Sequence, residues 1–320
     1  MLNIGVFGAG HLGKIHLKLL NDSKYYNLIG FHDSDKLSSI EVQNEFNYKF
    51  FESPEKLIKK CDVIDIVTPT DSHHKIAIMA IKNKCHVFIE KPISKSLKEA
   101  EEIIKFAKLN NVYGQVGHVE RFNPALIAAK SHIQNPMFVE SHRLSEFNPR
   151  GTDVPVVLDL MIHDIDIILS IVNSPIKSVN ASGINVISAS PDIANARIEF
   201  MNGCVANLTA SRISMKNMRK TRFFQKDAYV SIDFLSKSNE VVKIKDFSNK
   251  IDTMRGIILE NAEGEKREVY FENPKIFKSN AILNELESFA KSINKDQTPI
   301  VDLKDGYLAL KIAQKIIDSF

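Results

Sequence analysis

Gly8-Ala9-Gly10-His11-Leu12-Gly13 follows directly on the apolar run Leu2-Asn3-Ile4-Gly5-Val6-Phe7, and no other stretch constrains the fold as tightly. A lone GxGxxG says little. Here a strand precedes it and a helical segment, His11 to Leu20, follows it, which is the context a dinucleotide-binding turn requires. Gly8 permits the tight turn and Gly10 the close approach of a pyrophosphate. Gly13 lets the helix pack on the strand, with its amino-terminal dipole aimed at the phosphates. The same pattern asks for an acidic residue at the end of the next strand, roughly 20 residues on. Asn27-Leu28-Ile29-Gly30-Phe31-His32-Asp33 supplies it. The Asp33 carboxylate is suited to the ribose hydroxyls of NAD and would repel a 2′-phosphate. Ser34 and Lys36 beside it leave NADP open as a second cofactor.

Cys85-His86-Val87-Phe88-Ile89 reads as a short buried strand that ends in Glu90-Lys91-Pro92. Proline stops the strand, and the carboxyl edge of an open α/β sheet is where ligands bind. Lys91 is therefore a candidate substrate contact, the plain alternative being a strand-end lysine pointing into water. Strand and helix signals alternate through the first third of the chain. Tyr48-Lys49-Phe50-Phe51 and Asp62-Val63-Ile64-Asp65-Ile66-Val67 are extended. Helices are expected over 35–46, from Pro54, and over 71–84 and 96–110, before a strand at 112–116. This pattern predicts an α/β Rossmann domain, a doubly wound and mostly parallel sheet.

The pattern then changes. After helices at about 124–131 and 156–172, strand-like runs follow at 178–187, 193–200, 204–214, 229–235, 241–245 and 268–271, with a hairpin signal at Asn202-Gly203. An α+β domain with an open, mostly antiparallel sheet is the natural reading. The expected division is 1–121 for the dinucleotide domain, completed by helical segments within 277–320, and 122–276 for substrate binding and oligomerisation. With 42 basic and 39 acidic residues the net charge is only +3, and the lysines are scattered, so no nucleic-acid or membrane-surface patch is implied. Cys61, Cys85 and Cys204 have no metal-ligand spacing and read as reduced thiols. No metal site is expected. No basic leader precedes the first strand and no apolar run reaches membrane length, so a cytoplasmic location is expected.

A second constellation lies in the largely apolar helix Val156 to Leu169. At about 100° per residue Asp159, His163 and Asp166 share one stripe, while Asp164 points away. An Asp–His pair four residues apart orients the imidazole and favours proton uptake, which suits a general base for an alcohol. A satisfied core pair and a metal pair are the alternatives.

These residues together resemble the glucose–fructose oxidoreductase, inositol 2-dehydrogenase and rhizopine-catabolism family, Gfo/Idh/MocA. The matching stretches are GAGHLG at 8–13, TPTDSHH at 68–74, EKP at 90–92, GHVERFNPA at 117–125 and DLMIHD at 159–164, in the family's order across essentially the whole chain. The resemblance implies an NAD(P)-dependent dehydrogenase acting on CH–OH groups. Lys91 would reach the substrate hydroxyl beside the nicotinamide, with His163 as acid/base and Asp159 as its partner. Gly8, Gly10, His11, Leu12, Gly13, Asp33, Thr68, Pro69, His73 and Glu90 would line the cofactor. Family members are commonly dimers or tetramers.

Within the family the run 117–125 and the stretch 153–166 look most like the UDP-N-acetylglucosamine 3-dehydrogenase branch. His118, Arg121 and Asn123 follow the last strand of the first sheet, and Arg143 and Arg150 come later. Arginines suit phosphate contacts, though each is as well explained by a salt bridge. The expected substrate is a sugar or nucleotide sugar, oxidised at C3 and bound between the domains. A free hexose or inositol-type polyol is the alternative. Retention of Lys91 and the Asp159/His163 pair argues against a non-catalytic regulator, and a biliverdin-reductase-like role would leave that pair unused. A redox-neutral hydrolase that cycles NAD internally would release no NADH.

Overall fold

The computed structural model describes residues 1–149, 154–247 and 256–320. They form two compact units, Met1–Phe122 with Asn280–Lys311 and Asn123–Ser279 with Ile312–Phe320. Arg150 lies outside the described residues.

The first unit alternates β1 (Leu2–Phe7), α1 (His11–Asp22), β2 (Tyr26–His32), α2 (Lys36–Phe46), α3 (Pro54–Ile58), β3 (Val63–Ile66), α4 (Thr70–Lys82), β4 (His86–Glu90), α5 (Leu97–Asn110) and β5 (Gly114–Gly117). The strands make one parallel sheet in the order β2-β1-β3-β4-β5. Its doubly wound α/β character is as expected. Tyr48–Phe51 contributes only an isolated bridge, Phe31 to Phe50, rather than a strand. The helix starts follow side-chain chemistry. Ser53 accepts from the Lys56 N–H with Pro54 in the first turn, and Ser96 with Glu99 forms a reciprocal capping box.

The second unit contains α6 (Pro124–Ala129), β6 (Phe138–Leu144), α7 (Ile162–Ile171), β7 (Ile176–Ile184), β8 (Ile193–Phe200), β9 (Val205–Ser211), β10 (Met218–Phe224), β11 (Ala228–Asp233), β12 (Ser238–Asp246), β13 (Ile257–Glu260) and β14 (Lys266–Glu272). Among the described residues its sheet has nine strands, ordered β13-β14-β12-β11-β10-β6-β9-β8-β7. All pairings are antiparallel except β6 with β9. Asn202-Gly203 does turn the chain between β8 and β9, with Gly203 at φ +87°.

Strands β6, β10 and β13 were not expected. The inward side chains of β6 are Val139, Ser141 and Arg143, and β10 buries Thr221 and Phe223, so neither shows apolar alternation. Hydrogen bonding replaces apolar contact there: the Ser141 and Thr221 hydroxyls meet at 2.8 Å. The expected single helix over 156–172 is also different. It begins with a π-helical turn, Val157–Met161, before α7.

Chain-distant helices α8 (Ala281–Asn294) and α9 (Leu303–Ile317) close the fold. Leu286, Phe289 and Ala290 of α8 enter one apolar cluster with Ile4, Val6, Leu17, Phe31 and Phe88. Phe88 and Phe289 meet edge-inclined, with ring centroids 6.3 Å apart. The Tyr26 hydroxyl donates to the Leu286 carbonyl at 2.7 Å. The division between units falls within α9, after Lys311, so the final residues group with the second unit. Among the described residues no helix is long and apolar enough to cross a membrane.

In the second unit α7 is tied to β6 by charge. Arg143 Nε and Nη2 donate to the two oxygens of Asp164 at 2.8 and 3.0 Å, with both side chains almost wholly buried. Leaving one partner of such a pair alone in the interior costs about 3–5 kcal/mol. Asp164→Ala should therefore lower unfolding stability by about that amount in urea titrations followed by circular dichroism. The double exchange Arg143→Met with Asp164→Leu should cost less than the single change. Equal losses would show that the pair is not what holds α7 to the sheet.

Candidate active site

The glycine-rich turn is shaped by contact rather than by flexibility alone. Gly8 sits at φ +97°, and a Cβ there would lie 2.7 Å from the Val67 carbonyl. A Cβ on Gly13 would lie 2.0 Å from the Gly8 carbonyl oxygen, which is impossible without moving the helix. Gly10 is the opposite case, because a Cβ there would meet nothing within 4 Å. It caps α1 with no side-chain hydrogen bond, and the first turn carries no acidic residue. The first-turn N–H groups are thus presented to an anion. His11 is exposed and Leu12 half-buried beside them.

Asp33 does two things here. One carboxylate oxygen accepts the Ala9 N–H at 2.7 Å and the other the Asp35 N–H at 3.0 Å. It therefore braces the turn from the end of β2 while keeping lone pairs for ribose hydroxyls. Across the sheet edge, the Thr68 hydroxyl oxygen is buried with no partner among the described residues. An open cradle at Gly10, an uncapped helix start and an orphaned hydroxyl fit a dinucleotide.

Several expected ligand contacts turn inward instead. His73 is 1% exposed, and its ring nitrogens lie 2.9 Å from the Pro92 carbonyl and 2.8 Å from that of Thr68. Burial lowers its pKa against those carbonyls, and a neutral ring donates its single N–H to one of the two, either the Thr68 or the Pro92 carbonyl. Its ring lies against the backbone of both segments. Glu90 likewise faces the interior, its carboxylate directed at His16 and at its own neighbour's N–H. Pro69 is exposed at the start of α4. Lys91 stands half-buried at the end of β4, and its peptide bond to Pro92 is cis.

The residues expected to hold substrate divide in the same way. Asn123 caps α6 through the Ala125 N–H and donates to the Phe234 carbonyl, so both ends of its amide have structural partners. Arg143, expected as a phosphate contact, is buried and donates through Nε and Nη2 to Asp164. Arg121 Nη2 lies 3.7 Å from Asp305, and His118 is buried at 1% exposure. In the second unit Asp159 and His163 are half-buried while their neighbours Asp164 and Asp166 are buried. The π-turn carries Asp159, and widened turns of this kind occur often at functional positions. Sequence reasoning passed over His16 and Asp65, which lie under Glu90. A charged residue in the middle of the apolar strand Val63-Ile64-Asp65-Ile66 was the available signal.

Two family models match, one described as an oxidoreductase family with an NAD-binding Rossmann fold over residues 2–118 and the other as the GFO/IDH/MocA C-terminal domain over 125–227. The UDP-N-acetylglucosamine 3-dehydrogenase of Acidithiobacillus ferrooxidans is 34% identical over 236 residues, 73% of this chain and 75% of that protein. The chain belongs to the Gfo/Idh/MocA oxidoreductase family. A solved structure of the Acidithiobacillus enzyme superimposes with a TM-score of 0.88 and 29% identity, covering 99% of this chain and 97% of that one. The myo-inositol 2-dehydrogenase of Thermotoga maritima is 24% identical over 97% of this chain and 93% of its own length. The scyllo-inositol dehydrogenase of Lactobacillus casei, solved with NAD(H) and scyllo-inositol, shares the fold at a TM-score of 0.78 and 21% identity, over 100% and 97% of the two chains. As a Gfo/Idh/MocA member this chain is an NAD-dependent dehydrogenase with an NAD-binding Rossmann domain over residues 2–118.

The two glycines separate folding from binding. Gly10→Ala should melt like the wild type yet lose about tenfold or more in NAD affinity, a change of about 1.4 kcal/mol, measured by calorimetry. Gly13→Ala should fail to give a folded first unit. Unchanged NAD affinity in Gly10→Ala would remove the pyrophosphate from this turn.

Proposed function

We propose that the chain oxidises the C3 hydroxyl of a UDP-linked N-acetylamino sugar, with Lys91 and His163 serving the same hydroxyl. The observation that carries this reading is the 0.88 superposition on a UDP-N-acetylglucosamine 3-dehydrogenase over 99% of the chain, which itself carries Lys91 in Glu90-Lys91-Pro92 and His163 four residues after Asp159. Bound NAD supplies the hydride acceptor. His163 accepts the hydroxyl proton, oriented by Asp159 one helical turn earlier. The Lys91 ammonium stabilises the negative charge that grows on the oxygen as that proton leaves. A base and a cation on one oxygen lower the barrier at different moments, so neither replaces the other.

A second reading has an observation of its own. With Arg143 committed to Asp164, one of the arginines suited to a diphosphate is withdrawn. That favours an uncharged inositol-type polyol, in keeping with the similarity to the Thermotoga enzyme. NADH release measured with UDP-N-acetylglucosamine, myo-inositol, scyllo-inositol and glucose separates the two. The nucleotide sugar is expected to be turned over, and turnover of the free polyols alone would sink the first reading. With the substrate found, Lys91→Ala and His163→Ala should each lower kcat by roughly 10²–10⁴-fold while NAD binding persists. Wild-type turnover in either variant would remove that residue from the chemistry.

A further inference from the structure

A second arginine of the sheet that carries Arg143 is almost wholly buried as well. Arg212 stands one residue past the end of β9. In the parallel pairing of β6 with β9, Arg143 lies opposite Ala210, and side chains two residues apart share one face of a strand. Arg212 therefore continues the face on which Arg143 reaches Asp164 of α7. Its own backbone extends the ladder between β8 and β9, the N–H donating to the Asp192 carbonyl at 3.0 Å.

A guanidinium inside a protein needs an anion beside it. Asp192, fully buried across the ladder, provides one: Arg212 Nε lies 3.9 Å from its Oδ1. That separation supplies charge but not a hydrogen bond. The other oxygen, Oδ2, accepts the N–H groups of Val186, Ile187 and Ser188 at 2.9, 2.7 and 2.9 Å. Although burial opposes it, those N–H groups hold the carboxyl far below the usual range, so the anion persists at working pH. Asp192 is thus anchored by the turn that precedes it and serves Arg212 as a fixed countercharge.

The hydrogen bond from the guanidinium leads elsewhere. Nη2 of Arg212 donates to the Val154 carbonyl. Pro155 comes next, and its carbonyl accepts the N–H groups of Leu158 at 2.9 Å and Asp159 at 3.0 Å. Those bonds open the π-helical turn Val157–Met161. The peptide joining Val154 to Pro155 is planar, and proline locks its own φ. Holding the Val154 carbonyl therefore leaves one soft backbone dihedral, ψ of Pro155, before the acceptor on which the turn begins. At the far end the Ile162 N–H donates to the Val157 and Leu160 carbonyls, and His163 and Asp164 follow. Arg143 holds Asp164. The segment Val154–Asp164 is pinned at its start by one buried arginine and at its end by another, with Asp159 and His163 between them.

We propose that Arg212 is a positioning residue that holds the π-turn, and with it Asp159 and His163, to the sheet of the second unit. Asp192 makes its burial tolerable, and the Val154 carbonyl is the point of attachment. π-Helical turns are rare, and an outside hold on the first carbonyl favours one here. The consequence for catalysis rests on the reading of His163 as the base, whereas the hold on the turn does not. Without Arg212 the start of the turn shifts, and a displacement of about 1 Å at a reacting group is enough to cost turnover heavily.

Arg212→Lys separates position from charge. Lysine keeps a cation beside Asp192 but lacks the planar fork that sets Nε towards one group and Nη2 towards another. Its melting temperature should stay close to that of the wild type. Hydrogen–deuterium exchange read by mass spectrometry needs no substrate. The amides of Leu158 and Asp159 should exchange about tenfold or more faster in the variant, while those of β8 and β9 keep their protection. With whichever of UDP-N-acetylglucosamine, myo-inositol, scyllo-inositol and glucose the wild type oxidises, kcat should fall by roughly 10–10²-fold while KM and NAD affinity change little. Asp192→Asn keeps the shape and the acceptor oxygen but removes the countercharge. It should give the same pattern more weakly, and it serves if the arginine variant does not fold.

Unchanged exchange at the turn in a folded variant would overturn the proposal. So would faster exchange spread equally over β8 and β9, which marks lost stability rather than lost position. Faster exchange confined to the turn with an undiminished kcat, where His163→Ala abolishes turnover, would reduce Arg212 to a brace. Faster exchange at the turn together with wild-type turnover in His163→Ala would leave the hold standing and remove His163 from the chemistry. If none of the four compounds is oxidised, the exchange pattern alone decides.

Discussion

The Gly13 α-carbon rests against the Gly8 carbonyl with no space for another atom, and the ligand edge of the first unit is built outward from that contact. It sets how closely α1 approaches the end of β1. That approach points the uncapped start of the helix into open space at Gly10, and it lets a carboxylate from the end of β2 reach the Ala9 N–H. The same closeness carries His16, one turn further along α1, down to Asp65 on the neighbouring strand. One steric constraint thus supplies both an uncapped helix start and the contact of a buried histidine with a buried aspartate.

The parts of this arrangement that were legible in the sequence are those with a period or a fixed spacing. Strand, glycine turn, helix and Asp33 follow a spacing that backbone geometry imposes, so they could be read without coordinates. The strands β6 and β10 could not be read in this way. Their inner faces carry Ser141, Arg143 and Thr221, whose burial depends on partners that come from other elements. Arg143 looked like an anion ligand because a guanidinium's nearest carboxylate cannot be known until the chain is folded. Asn123 and His73 likewise contact the backbone around them, and no spacing in the sequence shows those contacts. The π-turn at Val157–Met161 was invisible because an inserted residue leaves composition and hydropathy unchanged.

Polar interiors of two kinds are at work in the two units. In the second, Arg143 and Asp164 neutralise each other completely and lock a helix to a sheet. Asp192 is comparable: although burial opposes it, the N–H groups of Ser188, Ile187 and Val186 hold its carboxyl far below the usual range. Beneath the end of β4 the arrangement differs: His16 meets Asp65 at 2.9 Å and lies 3.5 Å from the Glu90 carboxylate, whose other oxygen accepts the Lys91 backbone N–H.

Phe289 packs on Phe88 although 201 residues separate them along the chain. During synthesis the parallel sheet is therefore finished long before the helix that covers part of its apolar surface has been made. The nascent first unit must wait, with Phe88, Leu17 and Ile4 incompletely covered, while the sheet of the second unit is translated and emerges. Contacts this remote in sequence slow folding and prolong the exposure of sticky surface. For a chain of this layout, truncation just before Asn280 would leave a first unit without its lid of α8, prone to self-association and to capture by chaperones.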